Sequence, residues 1–410
     1  MPRSFRRDAR RNIPINYLFS FIASFDVIQG LWMIYLRIQG LSLWEIGIAE
    51  GFFHLTSFVM EAPTGMVADL WGHKASRLAG RFSLAMAMII LLHVESLPTA
   101  LAAFFFIALS YNLESGSGEA LVYESVEAEE RPRRYSRILS YTNAIVYFSL
   151  TLAVLVGGFL AERWGYPVVF MTVIGLSLAA FAVGSLFVEP PALMEYRSRH
   201  EGAGFLAAFK RQSLDTVSAI RKDRAMAFLV FYTELAAAFY TTAFFYLQTY
   251  WKGSGLGEAR IGVYLAMGGF ASIVGGLIGP VLERRVGFFP LMLAAPTLYA
   301  LSILALGVVP GTVPLFVGLG LLEGLIYLLM TDFLQKRIPS QLRATLLSLR
   351  TMVFSFSMIL VFPLAGWIGS AVSEVALFRF LGVTSVVLLL PYLWYLLRRG
   401  PTYLEATPEE

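Results

Sequence analysis

The chain has 410 residues, of which 57% are hydrophobic and only 15% charged, and its mean hydropathy is +0.67. A soluble domain is nearer ~45–50% apolar and ~25% charged, so the excess apolar surface has to face lipid. A formal charge of only +4, carried in short connections, argues against a nucleic-acid partner; no cysteine and four scattered histidines leave no disulfide, no thiolate metal site and no zinc constellation.

Arg3, Arg6, Arg7, Arg10 and Arg11 come first, ahead of an apolar segment long enough to span a bilayer and followed by no small-residue cleavage site. A spanning helix takes ~20 mostly apolar residues, because every backbone amide must be satisfied within the segment. Twelve such spans are expected, over residues 13–37, 44–68, 78–95, 99–126, 136–163 and 167–188, then 225–251, 258–282, 288–309, 314–333, 342–368 and 374–397. The fold class is therefore an all-α membrane protein with twelve transmembrane helices. Residues 189–224 divide six spans from six, which gives an N-terminal bundle over 1–188, a linker over 189–224 and a C-terminal bundle over 225–410. The linker is polar and basic with an amphipathic piece over 205–220, as suits a helix lying on anionic lipid; a regulatory docking role is the alternative.

Lys and Arg set the orientation. Nearly all fall on the termini and the even-numbered connections, while the opposite face holds only Arg37, Arg163, Lys252, Arg260 and Arg379. Both termini are expected in the cytoplasm, and Arg350, within span 11, is the one intramembrane base expected.

The halves echo each other. At an offset of 208 residues, the segment from Tyr123 lies over that from Thr331, Leu139 and Ser140 meet Leu347 and Ser348, Gly116 meets Gly324, and Asp26 meets Glu234. At an offset of 214, Gly65 and Asp69 meet Gly279 and Glu283. Two pseudo-symmetric six-helix bundles, related by an axis along the membrane normal, account for both echoes.

The connection after span 2 reads GMVADLWGHK, from Gly65 to Lys74. It resembles the loop signature of the major facilitator superfamily, matching at Gly65, Asp69, Gly72 and Lys74, with Leu70 and His73 where basic residues are usual. The topology of the whole chain is similar to that superfamily, most of all to its bacterial drug/proton antiporters. Gly65 is expected to allow close helix packing, Asp69 to receive helix amides or a guanidinium, and Gly72 to make the turn. The resemblance implies that this loop, echoed at Glu283, latches the cytoplasmic side of an outward-open transporter. Arg133, Arg134 and Arg137 are the candidate partners of Asp69, and simple capping of the next helix is the other reading. Two family signatures depart: Asn112 stands where span 4 has an Arg before paired glycines, and Gly157-Gly158 closes span 5 without the antiporter proline.

A charge at the bilayer centre costs ~2.5–3.5 kcal/mol or more, so each needs a reason. The resemblance implies that spans 1, 4, 7 and 10 line a central cavity, and each supplies an acid: Asp26, Glu114 with Glu119, Glu234 and Glu323. Ala23, Asp26, Gly30, Met33 and Arg37 share one face of a continuous helix, as do Glu234, Ala237, Ala238 and Thr241. A carboxylate removed from water exchanges a proton nearer neutral pH than an exposed one, which suits proton coupling, and it attracts cationic ligands; a static ion pair with Arg350 would neutralise only one. Glu124 and Asp332 are expected to pair with loop arginines, and Glu50, His54 and Glu61 to bond at helix interfaces. Trp44, Trp164 and Trp251 stand at expected membrane interfaces. Tyr35, Tyr111, Tyr147, Phe239, Tyr240, Tyr246 and Tyr327, with 14 Met, offer apolar surface for a lipophilic ligand.

These features lead to a proton-coupled exporter of lipophilic small molecules, cationic ones included. It would act in the cytoplasmic membrane as a monomer, with protons, lipid and a small-molecule substrate as partners and no cofactor. An uptake symporter for a small organic nutrient or cation and a lipid-moving protein are the rivals, separated by the direction of flux and by its dependence on a gradient. No GxxxxGK[ST] is present, so the chain is not expected to be an ATP-driven pump, or an enzyme.

Overall fold

The computed structural model describes residues 10–126, 131–190, 224–337 and 343–399. The amphipathic piece expected over 205–220 lies outside them. The described residues form fourteen helices and no strand. In order they are α1 Asn12–Ser24, α2 Trp32–Ile38, α3 Leu43–Trp71, α4 His73–Leu92, α5 Leu97–Glu114, α6 Ser117–Glu124, α7 Arg131–Trp164 and α8 Tyr166–Gly184. After the long connection come α9 Arg224–Gly253, α10 Glu258–Val286, α11 Phe288–Leu306, α12 Thr312–Arg337, α13 Arg343–Ala371 and α14 Glu374–Arg399.

Among the described residues, ten helical stretches are long and apolar enough to cross a membrane, counting α5 with α6 as one. The first two expected spans are not among them. Span 1 is broken into α1 and α2, each too short, and α3 carries Glu45, Glu50, His54, Glu61 and Asp69 along its length.

Two compact units make up the chain. The first holds residues up to Leu41, Phe52–Arg211 and Gly257–Gly262; the second holds Ser42–Gly51, Gln212–Leu256 and the rest from Val263.

In the first unit α4 packs against α5, α6 and α8, and α1 against α6, α7 and α8. With no hydrophobic drive between helices in lipid, close backbone approach does the work, and small residues permit it. Gly80 of α4 lies against the Ser110 carbonyl of α5, and Gly157 of α7 leaves no room for a Cβ beside the Val27 carbonyl. Polar ties add to this. Buried Asn12 donates to Ser125 Oγ (2.9 Å) and to Val188 O (2.7 Å), and Asn112 exchanges two hydrogen bonds with Ser57.

In the second unit α9 packs on α12, α13 and α14, and α11 on α12 and α14. Its core stacks Tyr232 on Tyr392 with ring centres 4.0 Å apart, and the Tyr392 hydroxyl donates to Met292 O. Gly268, Gly275, Gly320 and Gly324 bring α10 and α12 into backbone contact; a Cβ on Gly324 would overlap the Ser272 carbonyl. Trp251, expected at an interface, is instead buried here, donating to Thr312 Oγ1 at 2.7 Å, while Trp44 and Trp164 are exposed.

Two interruptions depart from continuous spans, both in the first unit. The chain leaves helix at Phe25 and resumes at Trp32; within the gap Asp26 Oδ1 accepts from the Ile28 amide at 3.2 Å, a local turn that competes with the helix ladder. The stripe expected from Ala23 to Arg37 is therefore not one helical face. The second break falls at Ser115-Gly116, where Gly116 has φ 57°, a left-handed conformation that glycine adopts without strain.

Candidate functional site

Each unit contains a cavity with charged side chains in its lining. The one in the first unit holds about 330 Å³, within the range of small-ligand pockets, and is built around the α5–α6 break. Arg77 and Arg81 follow each other by one turn on the buried face of α4 and reach Glu114, the last residue of α5. Arg77 Nε and Nη2 both lie 2.9 Å from Glu114 Oε1, and Arg81 Nη2 lies 3.5 Å from Glu114 Oε2. Arg77 is further fixed by donating to Asn16 Oδ1 at 3.0 Å, and its guanidinium lies 4.1 Å over the Phe19 ring and 4.7 Å over that of Phe187. Asn16 in turn donates to Thr142 Oγ1 of α7. Glu119, in the first turn of α6, lines the same cavity and is exposed to it, without an ion pair among the described residues.

These two arginines correct the expectation that Arg350 is the sole intramembrane base. A span begun at Leu78 leaves Arg77 in the connection, and the charge tally placed both it and Arg81 on the cytoplasmic side. In the structure α4 begins at His73 and buries both, at 2% and 7% exposure.

The second unit's cavity is smaller, about 50 Å³, room for a few waters. Glu234 of α9, Tyr299 of α11, Glu323 and Tyr327 of α12 and Arg350 of α13 line it. Arg350 Nε pairs with Glu234 Oε1, Nη1 donates to Thr331 Oγ1 at 3.3 Å, and the guanidinium lies 5.4 Å from the Tyr327 ring centre. Glu323 accepts from Ser272 Oγ at 2.8 Å and has no cation beside it among the described residues. Two carboxylates thus line one cavity with one guanidinium.

The five expected acids are therefore not gathered alike. Glu114 and Glu119 share one cavity and Glu234 and Glu323 the other, while Asp26 lines neither and is held in its own turn. Of the aromatic residues, Tyr111 lines the first cavity and Tyr327 the second. Phe239 and Tyr246 are buried in packing, and Tyr35 is buried with its hydroxyl on Leu92 O.

At the loop after α3, Gly72 has φ 97° and makes the expected turn, as Gly287, with φ 91°, does after α10. The amides that follow it go elsewhere than expected. His73 N and Lys74 N donate to the two oxygens of Glu189, at 2.8 and 2.9 Å, and Lys74 Nζ donates to Ser185 O. Asp69 is exposed and makes no hydrogen bond or ion pair among the described residues, where Arg134 and Arg137 lie but the side chain of Arg133 does not. Gly65 faces open space, so the close packing expected of it is not seen. Glu283, in the last turns of α10, is half-buried, and its carbonyl accepts from Gly287 N. Glu189 escaped sequence reasoning, since it sits 115 residues from Lys74 at the end of an apolar span.

Known proteins place this architecture. The chain is 24% identical over 396 residues to a Bacillus subtilis protein described as the uncharacterized MFS-type transporter YxaM, covering 92% of this chain and 94% of that one. Its fold is similar to the crystal structure of the nucleoside transporter NupG (TM-score 0.73, 15% identity, 95% of this chain and 99% of that one). It is also similar to a POT family transporter in complex with 5-aminolevulinic acid (TM-score 0.68, 13% identity, 95% and 96%). A bacterial homologue of the iron transporter ferroportin in its inward-facing state gives a TM-score of 0.65 at 17% identity, over 96% and 98% of the two chains. The family model of the Major Facilitator Superfamily matches residues 15–361, most of the chain, so this multi-pass, all-helical protein belongs to that superfamily and is a membrane transporter, not an enzyme.

Proposed function

We propose that the protein is a proton-coupled secondary transporter that exports lipophilic small molecules by alternating access. In this reading twelve spans form two six-helix bundles, over 1–188 and 225–410, joined by a cytoplasmic linker over 189–224. The protein works as a monomer in the cytoplasmic membrane with both termini inside.

The observation that carries proton coupling is the charge balance of the second unit's cavity: among the described residues that line it, Glu234 and Glu323 meet one cation, Arg350, which pairs with Glu234. Arg350 compensates Glu234, which leaves Glu323, among the described residues, with the hydroxyl of Ser272 as its donor. An unpaired carboxylate away from water is costly unless a proton or a ligand cation compensates it. Loading and unloading that compensating charge as the cavity changes its access is the elementary step of coupling. The exposed Tyr111 and Tyr327 rings in the two cavity walls support a ligand with apolar surface. A general preference for cations loses support, because Glu114 and Glu234 are already paired with arginines.

The test is flux in proteoliposomes with an imposed proton gradient, read by an internal pH dye and by efflux of lipophilic fluorescent probes. Glu323→Gln is expected to abolish gradient-driven flux while leaving passive exchange of ligand across the membrane. If Glu323→Gln and Glu234→Gln both leave the gradient dependence intact, the coupling reading fails; ligand that accumulates with the proton influx reverses the direction.

A further inference from the structure

The arginines of the first unit are not used equally. Arg77 is fully engaged: Nε and Nη2 with Glu114, Nη1 with Asn16, its plane against Phe19. It also lies 3.4 Å from where a Cβ on Gly118 would stand, pressed against the first turn of α6. Arg81 is different. Nη1 reaches Ala23 O at 3.2 Å, Nη2 is 3.5 Å from Glu114 Oε2, and its buried Nε has no hydrogen-bond partner. A guanidinium cannot shed its charge, and here an unused donor on a side chain only 8% exposed stands by a Glu114 Oε2 that itself has no hydrogen bond, a polar cluster left open to a further acceptor.

The same cavity receives the start of α6. Its N-cap is Gly116, no side chain caps it, and the backbone there lines the cavity together with Gly118. A helix start presents unpaired amides and a partial positive charge. Uncapped helix start and underused guanidinium face one hollow.

We infer that this cavity binds the carboxylate of a lipophilic organic acid, with Arg81 Nε and Nη2 as a two-pronged donor and the α6 start beside them. Adjacent parallel donors of a guanidinium match the two oxygens of a carboxylate, which gives both strength and orientation. Tyr111 and Tyr135 supply flat wall for the apolar body, and about 330 Å³ limits it to one or two rings. Glu114 stays with Arg77 through Oε1, so the ligand displaces only its weak contact with Arg81. Glu119 in the cavity lining and Asp26, which lies within electrostatic reach of Arg81, oppose the anion; Glu119 is exposed and Arg81 buried, so solvent weakens the Glu119 repulsion more than the Arg81 attraction without abolishing it. The assignment deepens the transport reading by naming the ligand's chemical class, and it rests on that reading only for the ligand's fate.

Equilibrium binding to the purified full chain in lipid nanodiscs, with no gradient, tests it. The probes are 1-naphthoate, its neutral amide and the matching 1-naphthylmethylamine. The acid is expected to bind at least ~10-fold tighter than the amide, as loss of a charge-assisted hydrogen bond implies. Arg81→Gln erases that preference, Arg81→Lys restores part of it, and Glu119→Gln tightens acid binding severalfold. Amide or amine binding as tight as the acid, no acid binding at millimolar concentration, or an unchanged acid preference in Arg81→Gln overturns the site. Should Arg81→Gln fail to fold, Glu119→Gln decides alone: affinity for the acid unchanged or weakened overturns it. Acid binding without gradient-driven flux would instead sink the coupling reading and leave this site standing.

Discussion

Replacing Glu114 by Gln tests whether the α4–α5 contact is held by charge or by shape. Gln keeps the volume and one acceptor for Arg77 Nε, but leaves two guanidiniums side by side in a buried wall. Breaking a fully buried ion pair costs ~3–5 kcal/mol. The Glu114 side chain is 23% exposed to the cavity while that of Arg77 is 3% exposed, so the loss falls toward about 2–3 kcal/mol. Arg81→Gln alone costs less, about 1 kcal/mol, because Glu114 keeps its closer partner, Arg77. In the double variant one guanidinium faces no carboxylate but also no second cation, so the losses do not add: the coupling is about 1–2 kcal/mol. Reversible SDS unfolding in mixed micelles, at one pH and salt, measures all four corners of the cycle. A Glu114→Gln variant within about 0.5 kcal/mol of the parent, or losses that add within that margin, would refute charge compensation as the basis of the contact.

Two further outcomes follow from the packing. Glu189→Ala removes the acceptor of the His73 and Lys74 amides and should cost about 1 kcal/mol, with hydrogen exchange accelerated at residues 73–76; Glu189→Gln should lose less, and unchanged exchange in both variants would remove Glu189 from its capping role. Gly324→Leu drives a side chain into the Ser272 carbonyl and should cost about 1–3 kcal/mol, whereas Gly318→Ala, which meets open space, should be neutral or better; equal unfolding midpoints would mean that α10 and α12 do not meet there.

Ten of the twelve expected spans were legible because twenty apolar residues in a row have few other uses, whereas the first two are broken or charged, and the pairing of Arg350 with an acid could be anticipated from its solitude in span 11. What escaped is instructive at particular residues. Arg77 reads as a loop charge, since hydropathy sets a boundary where polarity begins, and Arg81, three residues inside the expected span, was tallied with the cytoplasmic face because a buried polar wall looks like the end of a helix. Ser115-Gly116-Ser117-Gly118 was visible as a glycine motif, yet its consequence, a stop and restart of helix, depends on a positive φ that composition does not announce. Asp26 aligned with Glu234 in the repeat, but the Asp26 side chain turns back on its own backbone while Glu234 stays in the continuous helix α9. Glu189 caps a helix more than a hundred residues earlier, a relation set by tertiary packing that no local pattern contains.

The burial of Arg77 and Arg81 also bears on how the chain enters the bilayer during synthesis. As α4 leaves the ribosome it presents, beyond Lys74 at its start, two arginines that end up buried, and insertion scales charge ~2.5–3.5 kcal/mol for each cation placed centrally. Their counter-ion, Glu114, emerges only at the far end of α5. The translocon is therefore served best by holding α4 until α5 is complete and releasing the pair to lipid as a hairpin, with Arg77 already on Glu114 and Arg81 close to it.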